Sequence, residues 1–137
     1  MHDTDPQPPA PPTRSLSLAQ SFRFAFAGAL DGIRAERNMR IHAGAAALTI
    51  IAGVWLRVGA VQWLALILSM AMVLAAELFN RALEAAVDLS VSEWRPLAKT
   101  AKDAAAGAVL VTAMGAAAVG FVVFLPPLLA LFGGAGH

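Results

Sequence analysis

Cysteine is absent from the 137 residues, which excludes disulfides, thiolate catalysis and any cysteine-held metal. Charge is scarce. Only 14% of residues are charged against 58% hydrophobic, and the mean hydropathy is +0.67. A soluble domain of this size does not tolerate that balance, so the composition describes an integral membrane protein. No strand alternation, internal repeat or basic patch with interleaved aromatics occurs, so nothing points to a sheet or to nucleic acid as a partner. The first residues, with Pro6, Pro8, Pro9, Pro11 and Pro12, lack the apolar core of a signal peptide; residues 1–20 read as a disordered tail.

What remains is organised by hydropathy. Residues 21–38 mix Phe22, Phe24, Phe26, Leu30 and Ile33 with Arg23, Arg34 and Arg37, the composition of an amphipathic helix lying in the membrane interface. A first span is expected over about 39–56, where residues 41–56 carry no formal charge. After the tight connection at Arg57 to Gly59, a second helix runs over about 60–89. A third occupies about 97–125, ended by Pro126 and Pro127, with residues 128–137 as a C-terminal tail. The expected architecture is all-α: one surface helix plus three transmembrane helices, residues 21–127 forming one membrane domain. Three spans cannot by themselves enclose a large polar ligand, so self-association is expected. Of ten basic residues, five (Arg14, Arg23, Arg34, Arg37 and Arg40) precede the uncharged part of the first span and four (Arg81, Arg95, Lys99, Lys102) fall between the uncharged parts of the second and third, which places the N-terminus and that connection in the cytoplasm.

The second helix holds the main chemical signal. Residues 58–76 are uncharged for 19 positions, about 28 Å of helix, and Glu77 follows at once. At about 100° per residue, Glu77, Asn80, Glu84 and Asp88 fall near 0°, 300°, 340° and 20°, one stripe about 80° wide. Ionisable groups gathered at a membrane edge are costly and point to a functional site. Carboxylates with an amide suit a hard divalent cation such as Mg²⁺, which takes one or two carboxylates together with substrate phosphates. Lys102 could offer charge to phosphate oxygens, and a remaining carboxylate could accept a hydroxyl proton. No phosphate-binding loop of the G-x-x-x-x-G-K-[ST] type and no kinase glycine loop occurs, so a nucleotide site here is built differently from the common ones.

The segment ELFNRALEAAVD at 77–88, followed by PLAKTAKDAAAGAV at 96–109 and preceded by ERNMRIH at 36–42, resembles the signature of the small prokaryotic diacylglycerol kinase and undecaprenol kinase family, with the upstream motif closer to the undecaprenol branch. The resemblance covers about residues 21–125. It implies a homotrimer of the bacterial inner (plasma) membrane that uses ATP with Mg²⁺ to phosphorylate a lipid hydroxyl at the cytoplasmic face, undecaprenol or diacylglycerol. It also implies roles. Glu77 matches the general base, Glu36 and Glu84 the carboxylates that hold the metal with the ATP phosphates, and Asn80, Asp88, Lys102 and Asp103 further ATP-binding positions. One residue departs from the pattern: Arg81 stands where the family usually has Thr or Ser.

Other readings of the same residues are simpler. The ladder could be a solvated helix extension, and Lys99 a topology signal. His42, at a span boundary, would contact headgroups or a helix carbonyl. Trp55, Trp63 and Trp94 would be interfacial anchors, and Gly28, Gly32, Gly44, Gly53, Gly107, Gly115 and Gly120 sites of close helix packing. A proton or cation transporter subunit would need charges in mid-span, which the spans lack. A non-catalytic scaffold would be indifferent to Glu77→Gln.

Overall fold

The computed structural model describes residues 17–91, 93 and 95–133; Trp94, most of the proline-rich tail and the last four residues lie outside them. The described residues form four helices, α1 (Leu18–Ala35), α2 (Arg37–Trp55), α3 (Ala60–Ser90) and α4 (Pro96–Gly133). The fold is all-helical, as expected. Helices α3 and α4 pair along their lengths, α2 leans on α3, and α1 folds back onto α2 and touches α3.

Two helices, α3 and α4, are long and apolar enough to cross a membrane. Helix α2 falls short of that measure because Arg37 and Arg40 occupy its first turn, leaving a thinner apolar stretch. Large apolar side chains such as Leu64, Ile67, Leu110, Val111 and Phe121 stand exposed, while Leu66 and Val73 of α3 and Val123 of α4 are buried. That inversion of a soluble protein's pattern is what a lipid-facing surface requires. Polar side chains within the spans bond back to their own helix: Ser69 Oγ donates to the Leu66 carbonyl at 2.9 Å, and Thr112 Oγ1 to those of Ala108 and Val109 at 3.1 and 2.9 Å.

Several boundaries differ from the sequence reading. Helix α1 begins at Leu18, inside the stretch assigned to the tail, because Ser17 and Gln20 close a capping box around its first turn. The break into α2 comes at Glu36, two residues earlier than expected. The α2 to α3 connection is a Schellman turn in which Val58 N–H donates to the Gly53 carbonyl and Arg57 N–H to that of Val54. Its left-handed position, φ 52°, is filled by Arg57; Gly59 instead starts α3 with an ordinary φ of −75°. Helix α4 runs through Pro126 and Pro127 to Gly133, although each proline removes one helical donor and frees the carbonyl four residues before it. Apolar surroundings offer the remaining backbone groups nothing better than a helix. So the expected stop at 125 and much of the expected 128–137 tail are replaced by helix.

Contacts also reassign side chains. Trp63 is half-buried against Gly53, where an added Cβ would stand 2.8 Å from the ring; Trp55, 68% exposed, keeps the character of an anchor. Gly28, Gly44, Gly107, Gly115 and Gly120 have open space beside them, so among the described residues of one chain only Gly32 and Gly53 serve close helix packing. His42 lines an apolar cleft of about 300 Å³ between α2, α3 and α4, with Thr49, Met70 and Phe124, rather than facing only outward. The Gly53 contact yields a prediction. Gly53→Val lowers stability by about 1–3 kcal/mol through overpacking against the indole, read as a lower thermal midpoint in detergent. Gly44→Ala, made into open space, leaves the midpoint unchanged or slightly raised.

Candidate active site

Helix α3 crosses from apolar to polar sequence without a break, so the acidic stripe is an extension of a rigid rod. Burial declines along it. Glu77 is 5% exposed and is the buried charged-type residue among the described residues; Asn80 and Glu84 are half-buried, and Asp88 is exposed. None of the ion pairs among the described residues involves Glu77. Asn80 Nδ2 donates to Glu84 Oε1 at 3.4 Å, while Asn80 Oδ1 is fully enclosed without a partner. A sealed acceptor is expensive unless something else bonds it.

The joint between α1 and α2 brings the next group. Glu36 is a single extended residue, φ −104° and ψ 130°, that ends α1 and starts α2. Its position follows from packing on either side. Gly32 lies so close to α3 that an added Cβ would be 3.1 Å from Leu78 Cδ2, and Met39, 2% exposed, closes the same contact from α2. With the elbow pinned beside Leu78, the Glu36 carboxylate makes no capping bond to α2 and instead pairs with the Arg81 guanidinium. The two side chains are 48% and 38% exposed, so the pair contributes on the order of 0.2–1 kcal/mol.

Further along, the α3 to α4 turn forms a second polar cluster. Lys102 on α4 donates to Asp88 on α3 at 2.5 Å, and Lys99 pairs with Asp103 one turn on. These four residues, with Glu93 and Arg95, line an open cleft of about 360 Å³. Asp88 is 11 residues beyond Glu77, about 16 Å along the helix.

The structure thus sorts the residues singled out in the sequence into two clusters. Glu36 is joined to α3 through Arg81, which lies on the same two turns as Glu77, Asn80 and Glu84, whereas Asp88, Lys102 and Asp103 gather at the turn. Lys99, taken as a topology signal, belongs to the second cluster. Gly32, Met39 and Leu78 set the elbow; Gly32 is one of the glycines expected at close helix packing, but its contact with Leu78 joins residues 46 apart and leaves no local signal.

No three His, Asp or Glu side chains converge on a metal-sized point among the described residues. The donor set nevertheless fits a hard divalent cation that completes its shell with phosphate oxygens. Asn80 Oδ1, enclosed and without a partner on a residue bonded to Glu84, is an oxygen acceptor of the type such an ion takes.

Residues 23–124 match the family model described as prokaryotic diacylglycerol kinase. The chain is 44% identical over 116 residues to a protein of Synechocystis sp. named diacylglycerol kinase, a match covering 84% of this chain and 66% of the relative. It is 40% identical over 109 residues to a Bacillus subtilis protein named undecaprenol kinase, covering 80% of this chain and 89% of the relative. The burial of Glu77 gives a test independent of chemistry. Glu77→Leu replaces a largely buried residue whose carboxyl makes no ion pair among the described residues, and unfolding stability in detergent is unchanged or raised.

Proposed function

Because the chain belongs to the prokaryotic diacylglycerol kinase family, a family of lipid kinases, we propose that it transfers the γ-phosphoryl group of ATP to the hydroxyl of undecaprenol, giving undecaprenyl phosphate. The observation that carries this reading is Glu77, a largely buried acidic residue in no ion pair among the described residues, at the end of a 19-residue apolar run. A lipid hydroxyl held at the membrane edge meets a base there. The hydroxyl oxygen attacks the γ-phosphorus, its proton passes to the Glu77 carboxylate, and the bond to the β–γ bridging oxygen breaks to release ADP.

The other residues work by charge and position. Glu36 and Glu84, with Asn80 Oδ1, would hold Mg²⁺ together with the ATP phosphates. When bound, the ion offsets phosphate charge. Lys102 offers an ammonium to the polyphosphate, and Asp88 and Asp103 orient Lys102 and Lys99 toward the nucleotide side of the site. The ERNMRIH segment at 36–42 favours undecaprenol, while the name of the Synechocystis relative keeps diacylglycerol, with phosphatidic acid as product, as the second substrate to measure.

The same reading gives α2 the role of a third span, with Arg40 reaching back to headgroups, and lays α1 on the membrane surface. The basic residues put the N-terminus and the site on the cytoplasmic side of the bacterial inner membrane. A homotrimer would cover helix faces left open in one chain, including those at Gly107 and Gly115.

The test is transfer of label from γ-labelled MgATP to undecaprenol and to diacylglycerol in mixed micelles. Undecaprenol has the higher kcat/KM, and Glu77→Gln lowers kcat about 10²- to 10⁴-fold while KM for ATP changes little. A larger kcat/KM for diacylglycerol would reverse the choice of lipid. No transfer to either lipid by folded protein would end the reading.

A further inference from the structure

Arg81 is the one residue of the elbow cluster for which lipid phosphorylation, as described above, provides no task, and it is bonded to a residue that has one. Glu36 spends its carboxylate on Arg81 and leaves the first turn of α2 uncapped, although it occupies the N-cap position. A guanidinium only donates, stays charged at any working pH, and matches both carboxylate and phosphate geometry. A dication cannot share the Glu36 oxygens with it without strong repulsion. The partly exposed pair is weak enough for a stronger partner to displace.

We propose that Arg81 is a positioning residue that occupies Glu36 in the empty site and releases it to the metal–nucleotide complex, moving its own guanidinium onto the polyphosphate. The proposal rests on Glu36 being a metal carboxylate in the reading above. Its consequence is coupling. Bare divalent cation has to expel Arg81 with nothing to receive it, so the metal binds poorly alone. With nucleotide present the displaced guanidinium gains phosphate oxygens, and metal and nucleotide strengthen each other reciprocally. The arrangement keeps the empty site from filling with free cation.

The experiment measures Mn²⁺ binding to the purified protein by electron paramagnetic resonance, with and without a non-hydrolysable ATP analogue. Arg81→Gln keeps a polar side chain at a half-exposed position, and its thermal midpoint and elution volume check folding. In Arg81→Gln, Mn²⁺ binds about three- to tenfold more tightly without nucleotide. The strengthening of Mn²⁺ binding by nucleotide shrinks correspondingly, and KM for MgATP rises more than kcat falls. Arg81→Lys restores weak binding of bare Mn²⁺, because a point charge suffices to compete, yet regains only part of the nucleotide coupling because it lacks the fork. Glu36→Gln, measured in parallel, separates the two levels. If Glu36→Gln weakens Mn²⁺ binding and Arg81→Gln leaves both affinities at wild-type values, the inference about Arg81 is overturned and the metal assignment stands. If Glu36→Gln leaves Mn²⁺ binding unchanged, both are overturned.

Discussion

Backbone amides in hydrocarbon have no water to bond, so a chain that crosses a bilayer must satisfy them within each element. Helix α3 meets that demand by running unbroken for 31 residues, and Glu77, Asn80, Arg81 and Glu84 all stand on the part that follows the apolar stretch. One rod therefore does two jobs. The apolar stretch fixes depth, and the following turns place Glu77, Asn80 and Glu84 on a common face at that depth. A loop at the same point could not keep the three in register, and it would expose unbonded amides near lipid. Burial of Glu77 follows from the same rod: it is the first carboxyl past the apolar stretch, and α3 there has neighbours on more than one side.

Packing then decides which other groups join. Gly32 lets α1 come within touching distance of Leu78, Met39 seals the contact, and the carboxylate between them is delivered to α3. The α3 to α4 turn is tied differently, by the Asp88–Lys102 pair that crosses it. The two clusters lie about three helical turns apart on α3.

Much of this was legible in the sequence because it is written in local patterns. A 19-residue uncharged run, a three- and four-residue spacing of acidic groups and a proline after residue 95 are each readable without tertiary structure, and α3 and the start of α4 appear within a residue of where they were expected. The misplaced boundaries have specific causes. The capping box of Ser17 and Gln20 follows directly on a proline-rich stretch whose composition hides it, and Pro126 and Pro127 end helices in water but not in apolar surroundings. The ion pair between Glu36 and Arg81 joins residues 45 apart and could not be read from either neighbourhood. Trp63 similarly depends on Gly53 across the turn, so an anchor by type became a packing residue by contact.

The connection between α1 and α2 is one residue long. A joint that short has no slack to absorb movement: if α1 tilts or slides, the only atoms available to accommodate it are those of Glu36 itself and the contact at Gly32. The face of α1 carrying Phe22 and Phe26, both largely exposed, is thus geared directly to a carboxylate of the site. Any push on those rings reaches the ion pair with Arg81 as a displacement of one side chain.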